Sequence, residues 1–163
     1  MTSSSELGPP PAVWAFQERL LPVYEALVEV GAGDVAFFCV AIEAANRRLI
    51  VCRTDEASGV TEAEYRAVVP DWTRVDFGHA VLSRRQIKTL HALVRRHREW
   101  LKARGINPQA WGPRSDMSGV GWNGGPFELT YDGRGEFDDE LRKPFLLYGS
   151  GTVIFKRGRV VPL

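Results

Sequence analysis

Residues 83–104 constrain the fold more than any other stretch, because their sequence, SRRQIKTLHALVRRHREWLKAR, predicts one helix with two chemically different faces. Ser83 is a suitable N-cap and Gly105 a suitable stop. At about 100° per residue, one apolar stripe contains Ile87, Leu90, Val94, His97 and Leu101, widened by Leu93 and Trp100. A second stripe, about a quarter-turn away, contains Arg84, Lys88, His91, Arg95, Arg98 and Lys102. Such a helix buries one face in a core and presents a basic face beside it.

The charge of the chain is concentrated on this helix. The segment holds 8 of the 21 Lys and Arg residues and a single acid, Glu99, although the net charge of the chain is only +1. Dedicated nucleic-acid binders usually carry a strong basic excess, so the overall balance argues against a nucleic-acid partner. The local excess instead favours a partner protein or peptide of acidic character.

Length and composition predict one domain over residues 12–163, preceded by a flexible tail over residues 1–11. The chain has no run of about 18 apolar residues, so neither a membrane span nor a membrane partner is expected. The first residues lack the basic and apolar regions of a secretion signal, which favours the cytoplasm. The three histidines and two cysteines form no HExxH, HxxxH or Cys/His cluster, so we expect no metal and no cofactor.

The first half predicts a helix, a hairpin and a second helix–strand pair. Apolar residues spaced by three and four mark a helix over 12–30, in which Pro22 predicts a kink or two shorter helices. Strands over 35–42 and 49–54 form a hairpin in which Cys39 faces Cys52 and Glu43 faces Arg48. A short helix begins at the capping box of Thr61 and is followed by a strand over 73–81.

The second half is richer in turns. It predicts strands near 118–122 and 127–131, a loop with a short helix over 132–143, and a terminal hairpin of 153–155 with 159–161. The whole order predicts an α+β fold, in which an antiparallel or mixed sheet carries packed helices. An N-terminal helix precedes two β-rich units.

Four segments resemble a known family over about residues 34–163. They are FCVAIEAANRRLIVC, VPDWTRVDFGHAVLSRRQIKTLHALV, INPQAWGPRSDMSGV and LLYGSGTVIF. Their order is similar to the prodomain of bacterial serine proteases of the α-lytic and streptogrisin type, in a stand-alone actinobacterial form. The resemblance implies a fold of two similar units. It also implies a C-terminal segment that lies against a partner as a product-like strand and acts as chaperone and inhibitor.

Two surfaces are candidates for partner binding. One is the basic face of the helix, with Arg84, Lys88, Arg95, Arg98 and Lys102. The other is the C-terminal segment with Val161 and Leu163, which either adds a strand to a partner's sheet or completes the protein's own sheet. The acids at 136–140 are either solvated or face the basic helix.

A competing site lies beside the glycine-rich loop over 112–126. Backbone N–H groups there can meet an anion, with Arg114 as its charge partner and Trp111 and Trp122 flanking the loop, although hairpin turns explain the same glycines. His79 and Asp116 are the acid/base candidates of this alternative.

The sequence as a whole favours a non-catalytic protein- or peptide-binding protein, such as an inhibitor, an immunity-type partner or a chaperone-like protein. The alternative is a small-molecule-binding protein or minor enzyme that uses the cleft beside the loop. Cys39 and Cys52 are expected as buried thiols in the cytosol, whereas export would favour a disulfide.

Overall fold

The computed structural model describes residues 11–43, 46–116 and 123–158, and it has the predicted α+β fold. The helices and strands in these ranges are α1 (Pro11–Ala32), β1 (Phe37–Glu43), β2 (Arg48–Arg53), α2 (Glu62–Ala67), β3 (Arg74–His79), α3 (Arg84–Lys102), β4 (Asn107–Asp116), β5 (Asn123–Asp132), α4 (Asp139–Arg142) and β6 (Val153–Arg157). A 3-10 turn at Lys143–Phe145 follows α4. The strands form one sheet in the order β1-β2-β3 and a second in the order β4-β5-β6.

Helix α1 runs as one element through Pro22, so the proline does not divide it into two helices. Its buried stripe includes Leu20, Val23 and Leu27, which pack against the first sheet. Pro22 is exposed, which places its ring on the solvent side of the helix.

The predicted register of the first hairpin is confirmed. Cys39 pairs with Cys52 and Glu43 pairs with Arg48 on antiparallel strands. The Arg48 guanidinium donates to Glu43 at 2.7 Å and to Asp76 of β3 at 2.9 Å, so one cation ties all three strands at this end of the sheet. Strand β3 pairs with β2 in parallel, which requires the crossover that α2 supplies.

The two halves of the chain share one topology. In each half a long helix is followed by an antiparallel hairpin, a short helix and a third strand parallel to the second. Leu49 pairs with Val75 in the first sheet as Phe127 pairs with Val153 in the second, and all four side chains are buried. The equivalent pairs therefore form the apolar centre of both units.

One prediction for the second half needs correction. Residues 107–116 were expected as turns, yet they form β4, which lies at the edge of its sheet. An edge strand tolerates Pro108 and Pro113, because a missing N–H there costs no ladder hydrogen bond. Strand β6 pairs in parallel with β5, and its expected hairpin partner at 159–161 lies outside the described residues, as do 118–122.

The predicted apolar stripe of α3 is buried in the main core. Ile87, Leu90, Val94 and Leu101 are buried and pack with side chains of the second sheet that include Phe127 and Leu129. Ser83 accepts a hydrogen bond from the Gln86 N–H at 3.2 Å, and the Gln86 side chain accepts one from the Ser83 N–H at 2.9 Å. This capping box fixes the first turn and therefore the rotation of the whole helix.

A buried carboxylate, Asp34, holds the first unit together. It accepts hydrogen bonds from the Arg53 guanidinium at 2.7 Å, the Ser58 hydroxyl at 2.6 Å, the Tyr65 hydroxyl and the Ala36 N–H at 3.0 Å. Burial raises the pKa of Asp34, but these hydrogen bonds outweigh burial and hold the pKa below its ordinary value. The charged carboxylate thereby joins the α1–β1 turn to β2, the following loop and α2.

The two sheets meet where β3 ends. Ala80 bridges to Gly124 at the start of β5, and the Val81 N–H donates to the Gly124 carbonyl at 3.0 Å. A β-carbon at Gly124 would lie 2.8 Å from the Phe38 ring and 2.9 Å from the Ala80 side chain. Glycine is required at this position because the strands approach too closely for any side chain.

Candidate functional site: the basic face of helix α3

Five basic side chains lie on one face of α3 and all are exposed to solvent. We name this set the basic stripe; it consists of Arg84, Lys88, Arg95, Arg98 and Lys102. Their spacings of four, seven, three and four residues keep them on one side of the helix. The buried stripe, about a quarter-turn away, and the capping box fix the direction in which this side faces the solvent.

The middle of the basic stripe is not neutralised by the part of the chain that the structure describes. Within those residues Lys88, Arg95 and Arg98 make no salt bridge. At the ends, the Lys102 ammonium lies 3.6 Å from the exposed Glu99 carboxylate, and the Arg84 guanidinium lies 4.8 Å from the centre of the Phe37 ring. Three adjacent cations therefore remain available to a partner.

The acids at 136–140 make contacts elsewhere. The Glu136 carboxylate binds the Arg157 guanidinium at 2.7 Å, and the Asp138 carboxylate accepts from the Leu141 N–H at 2.9 Å as the N-cap of α4. Asp139 and Glu140 are exposed in the first turn of α4, where they favour its dipole. Among the described residues, no salt bridge or hydrogen bond joins these acids to the basic stripe, as their predicted position against the basic helix would require.

His91, which the sequence predicts in the second stripe of the helix, is less exposed than the basic side chains of that stripe. Its ring is half-buried and stands edge-on to Phe127, with 5.3 Å between the ring centres. Burial lowers the pKa of His91, and the nearby Arg95 charge lowers it further. The imidazole is therefore neutral near pH 7, because it occupies the border between the basic stripe and the buried face.

The competing site beside the glycine-rich loop contains an open cavity of about 210 Å³. Residues 110–114 of β4 line it together with Glu128 and Thr130 of β5. The Arg114 guanidinium lies 3.9 Å from the Glu128 carboxylate. The cation that was predicted to bind an anion therefore already forms a salt bridge with an acid of the protein. Trp111 is half-buried against the core of α3, and Trp122 lies outside the described residues.

His79 lies in a different cavity from Arg114. It is the last residue of β3, is more than half exposed, and its Nδ1 atom is 3.5 Å from the Asp55 carboxylate. This second cavity of about 340 Å³ is lined by residues 54–56 and 79–81 together with Gln86. The structure thus separates the candidate acid/base group from the candidate anion-binding group.

Asp116, the other acid/base candidate, pairs by its backbone with Asn123, and its side chain is outside the described part of the structure. The sequence did not show that Asp55 lies beside His79 or that Glu128 lies beside Arg114, because each acid is distant from its partner along the chain. Only the pairing of β4 with β5, which sets Gly112 opposite Glu128, could have identified the contact of Glu128 with Arg114.

No group of three or more His, Cys, Asp or Glu side chains in the described ranges is arranged to hold a metal ion. The helices in those ranges are all too short or too polar to cross a membrane. The C-terminal candidates Val161 and Leu163 lie outside the described residues.

Comparison of the chain with protein-family models finds no match, and comparison with curated proteins finds none either.

Proposed function

We propose that this is a non-catalytic binding protein whose basic stripe recognises an acidic segment of another protein or a peptide. The observation that carries the proposal is the exposure of Lys88, Arg95 and Arg98 on a capped helix, without a salt bridge to any described residue. Cations held on a rigid helix attract an acidic partner at long range and fix its orientation on contact.

The length of the basic stripe indicates the size of the segment that it accepts. From Arg84 to Lys102 the helix rises about 27 Å, at 1.5 Å per residue. An extended peptide of about eight residues spans the same distance, at about 3.3 Å per residue. Because the net charge of the chain is only +1, we favour a protein partner over a nucleic acid.

Inhibitors, immunity-type partners and chaperone-like proteins all work through such binding, and binding is also what the prodomain resemblance implies. The second candidate function is small-molecule binding at the cavity beside Trp111 and Arg114. At about 210 Å³ this cavity is below the usual size of a ligand site, and Glu128 opposes an anion there. We therefore place it second.

Reversing two charges of the basic stripe tests the proposal. The double variant Lys88→Glu/Arg95→Glu should bind a fluorescent polyglutamate peptide of about ten residues at least about tenfold more weakly than the wild type at low salt. The reason is that both substitutions turn attraction into repulsion at the middle of the stripe. Fluorescence anisotropy measures the affinity, and the wild-type affinity should fall as salt is added.

The matched control is Arg85→Glu/Arg96→Glu, because Arg85 and Arg96 are exposed on the same helix but point about a quarter-turn away from the stripe. This variant has the same net charge and should retain most of the binding. Equal weakening in both variants would mean that only net charge matters and would contradict the proposal. Tighter binding of a DNA duplex than of the peptide at the same salt concentration would also contradict it.

A further inference from the structure

The two cysteines of the chain lie side by side in the first sheet. Cys39 of β1 pairs directly with Cys52 of β2, and side chains of directly opposed residues project to the same face. Such residues have Cα atoms about 4.5–5.5 Å apart, within the range of about 4.4–6.8 Å that a disulfide spans. The two thiols are also hydrogen-bond partners of each other.

The surroundings of the two thiols differ. Cys39 is half-buried on β1, an edge strand, whereas Cys52 is fully buried on the central strand. The hydrogen bond from Cys52 lowers the pKa of Cys39 and the charge of Arg84 adds to this, against the opposing effect of burial. The same hydrogen bond and burial raise the pKa of Cys52. Cys39 is thus the more accessible and more readily ionised thiol.

We propose that Cys39 and Cys52 form a reversible thiol–disulfide site that reacts with small-molecule disulfides of the glutathione class. Cys39 loses its proton and its sulfur attacks one sulfur of the disulfide, which breaks the S–S bond and releases one thiol that takes up a proton. Cys52 then loses its proton and its sulfur attacks the Cys39 sulfur, which forms the Cys39–Cys52 bond, breaks the mixed disulfide and expels the second thiol, and that thiol takes up the proton. The two protein thiols are oxidised and the small disulfide is reduced to two thiols.

The position of the pair connects this chemistry to the rest of the molecule. Cys52 packs with Ala41, Ile50 and Ala80 in a small cluster at the point where the two sheets meet. Arg84, whose charge favours the Cys39 thiolate, is the first residue of the basic stripe. The cysteine pair therefore lies next to one end of the proposed binding surface.

The test uses the full-length protein, incubated with oxidised glutathione, quenched with acid and examined by mass spectrometry. The wild type should lose the mass of two hydrogen atoms, and peptide mapping should join Cys39 to Cys52. The variant Cys52→Ser should instead keep one glutathionyl group on Cys39, because the resolving thiol is missing. The variant Cys39→Ser should react at least about tenfold more slowly than Cys52→Ser, since its remaining thiol is buried and hard to ionise.

Reduced glutathione in excess should restore the wild-type mass. Equal reaction rates of the two serine variants would overturn the assignment of roles, and a wild type that keeps both thiols in oxidised glutathione would overturn the site itself. If a serine variant fails to fold, iodoacetamide labelling of the wild type decides: Cys39 should be alkylated first. Alkylation of Cys52 first would overturn the proposal.

Discussion

Replacing Asp34 with alanine should lower the free energy of unfolding by about 3–5 kcal/mol, because it removes one partner of a buried ion pair and several hydrogen bonds at once. The Asp34 carboxylate is fully buried, and its loss leaves the Arg53 guanidinium without its ion-pair partner and the buried Tyr65 hydroxyl without its acceptor. Urea unfolding followed by circular dichroism measures the change. The control is Asp55→Ala, whose exposed carboxylate should cost no more than about 0.5 kcal/mol.

The same carboxylate gives the stability a defined dependence on pH. Because the pKa of Asp34 is held below 3.8 in the folded protein, the unfolded chain takes up this proton first as the pH falls. The stabilisation is therefore fully present above about pH 4 and is lost as the pH falls through the lower folded pKa. Asp34→Asn should lack this contribution, so its stability difference from the wild type should shrink below pH 4. A constant difference over that range would contradict the assignment.

The second large effect is expected for Leu90→Ala, which should cost roughly 2–4 kcal/mol. Leu90 is fully buried between α3 and the second sheet, and truncation removes apolar contacts and leaves a cavity. Arg95→Ala, five residues further along the same helix, should change the stability by no more than about 0.5 kcal/mol, because its side chain is exposed. Thermal or urea unfolding compares the two, and equal losses would mean that the two faces of α3 are assigned wrongly.

The elements that could be predicted from the sequence are those that a local pattern specifies. The apolar and basic stripes of α3 follow from the helical period, and the first hairpin follows from an apolar run whose ends carry Glu43 and Arg48. In both places neighbouring residues determine the geometry, so short-range physical chemistry suffices.

The elements that were missed depend on contacts between distant residues. Strand β4 contains Pro108 and Pro113, which resemble turn signals until the strand is known to lie at an edge. Strand β6 was predicted at 153–155, but its pairing was not, because it follows a crossover and no local pattern shows that it runs parallel to β5. The same reason explains why Asp34 was overlooked: its partners Arg53 and Tyr65 come from later elements.

The candidate site was predictable in part. Exposure of five basic side chains follows from the helical period, whereas the half-buried state of His91 depends on Phe127 from β5. Whether Lys88, Arg95 and Arg98 stay free of acidic partners depends on where the acids at 136–140 lie. The sequence does not show this position, which the fold reveals through the salt bridge of Glu136 with Arg157. Sequence patterns thus indicate which residues form a surface, and the fold decides which charges remain on it.

The most direct test of the central claim is an NMR titration of the isotope-labelled wild type with the polyglutamate peptide, followed through backbone amide chemical shifts. If the basic stripe is the binding surface, the saturable shifts should cluster on α3 around Lys88, Arg95 and Arg98, and they should disappear at high salt. Shifts that cluster instead on residues 110–114 and Glu128 would place binding in the cavity beside Trp111, and would contradict the account.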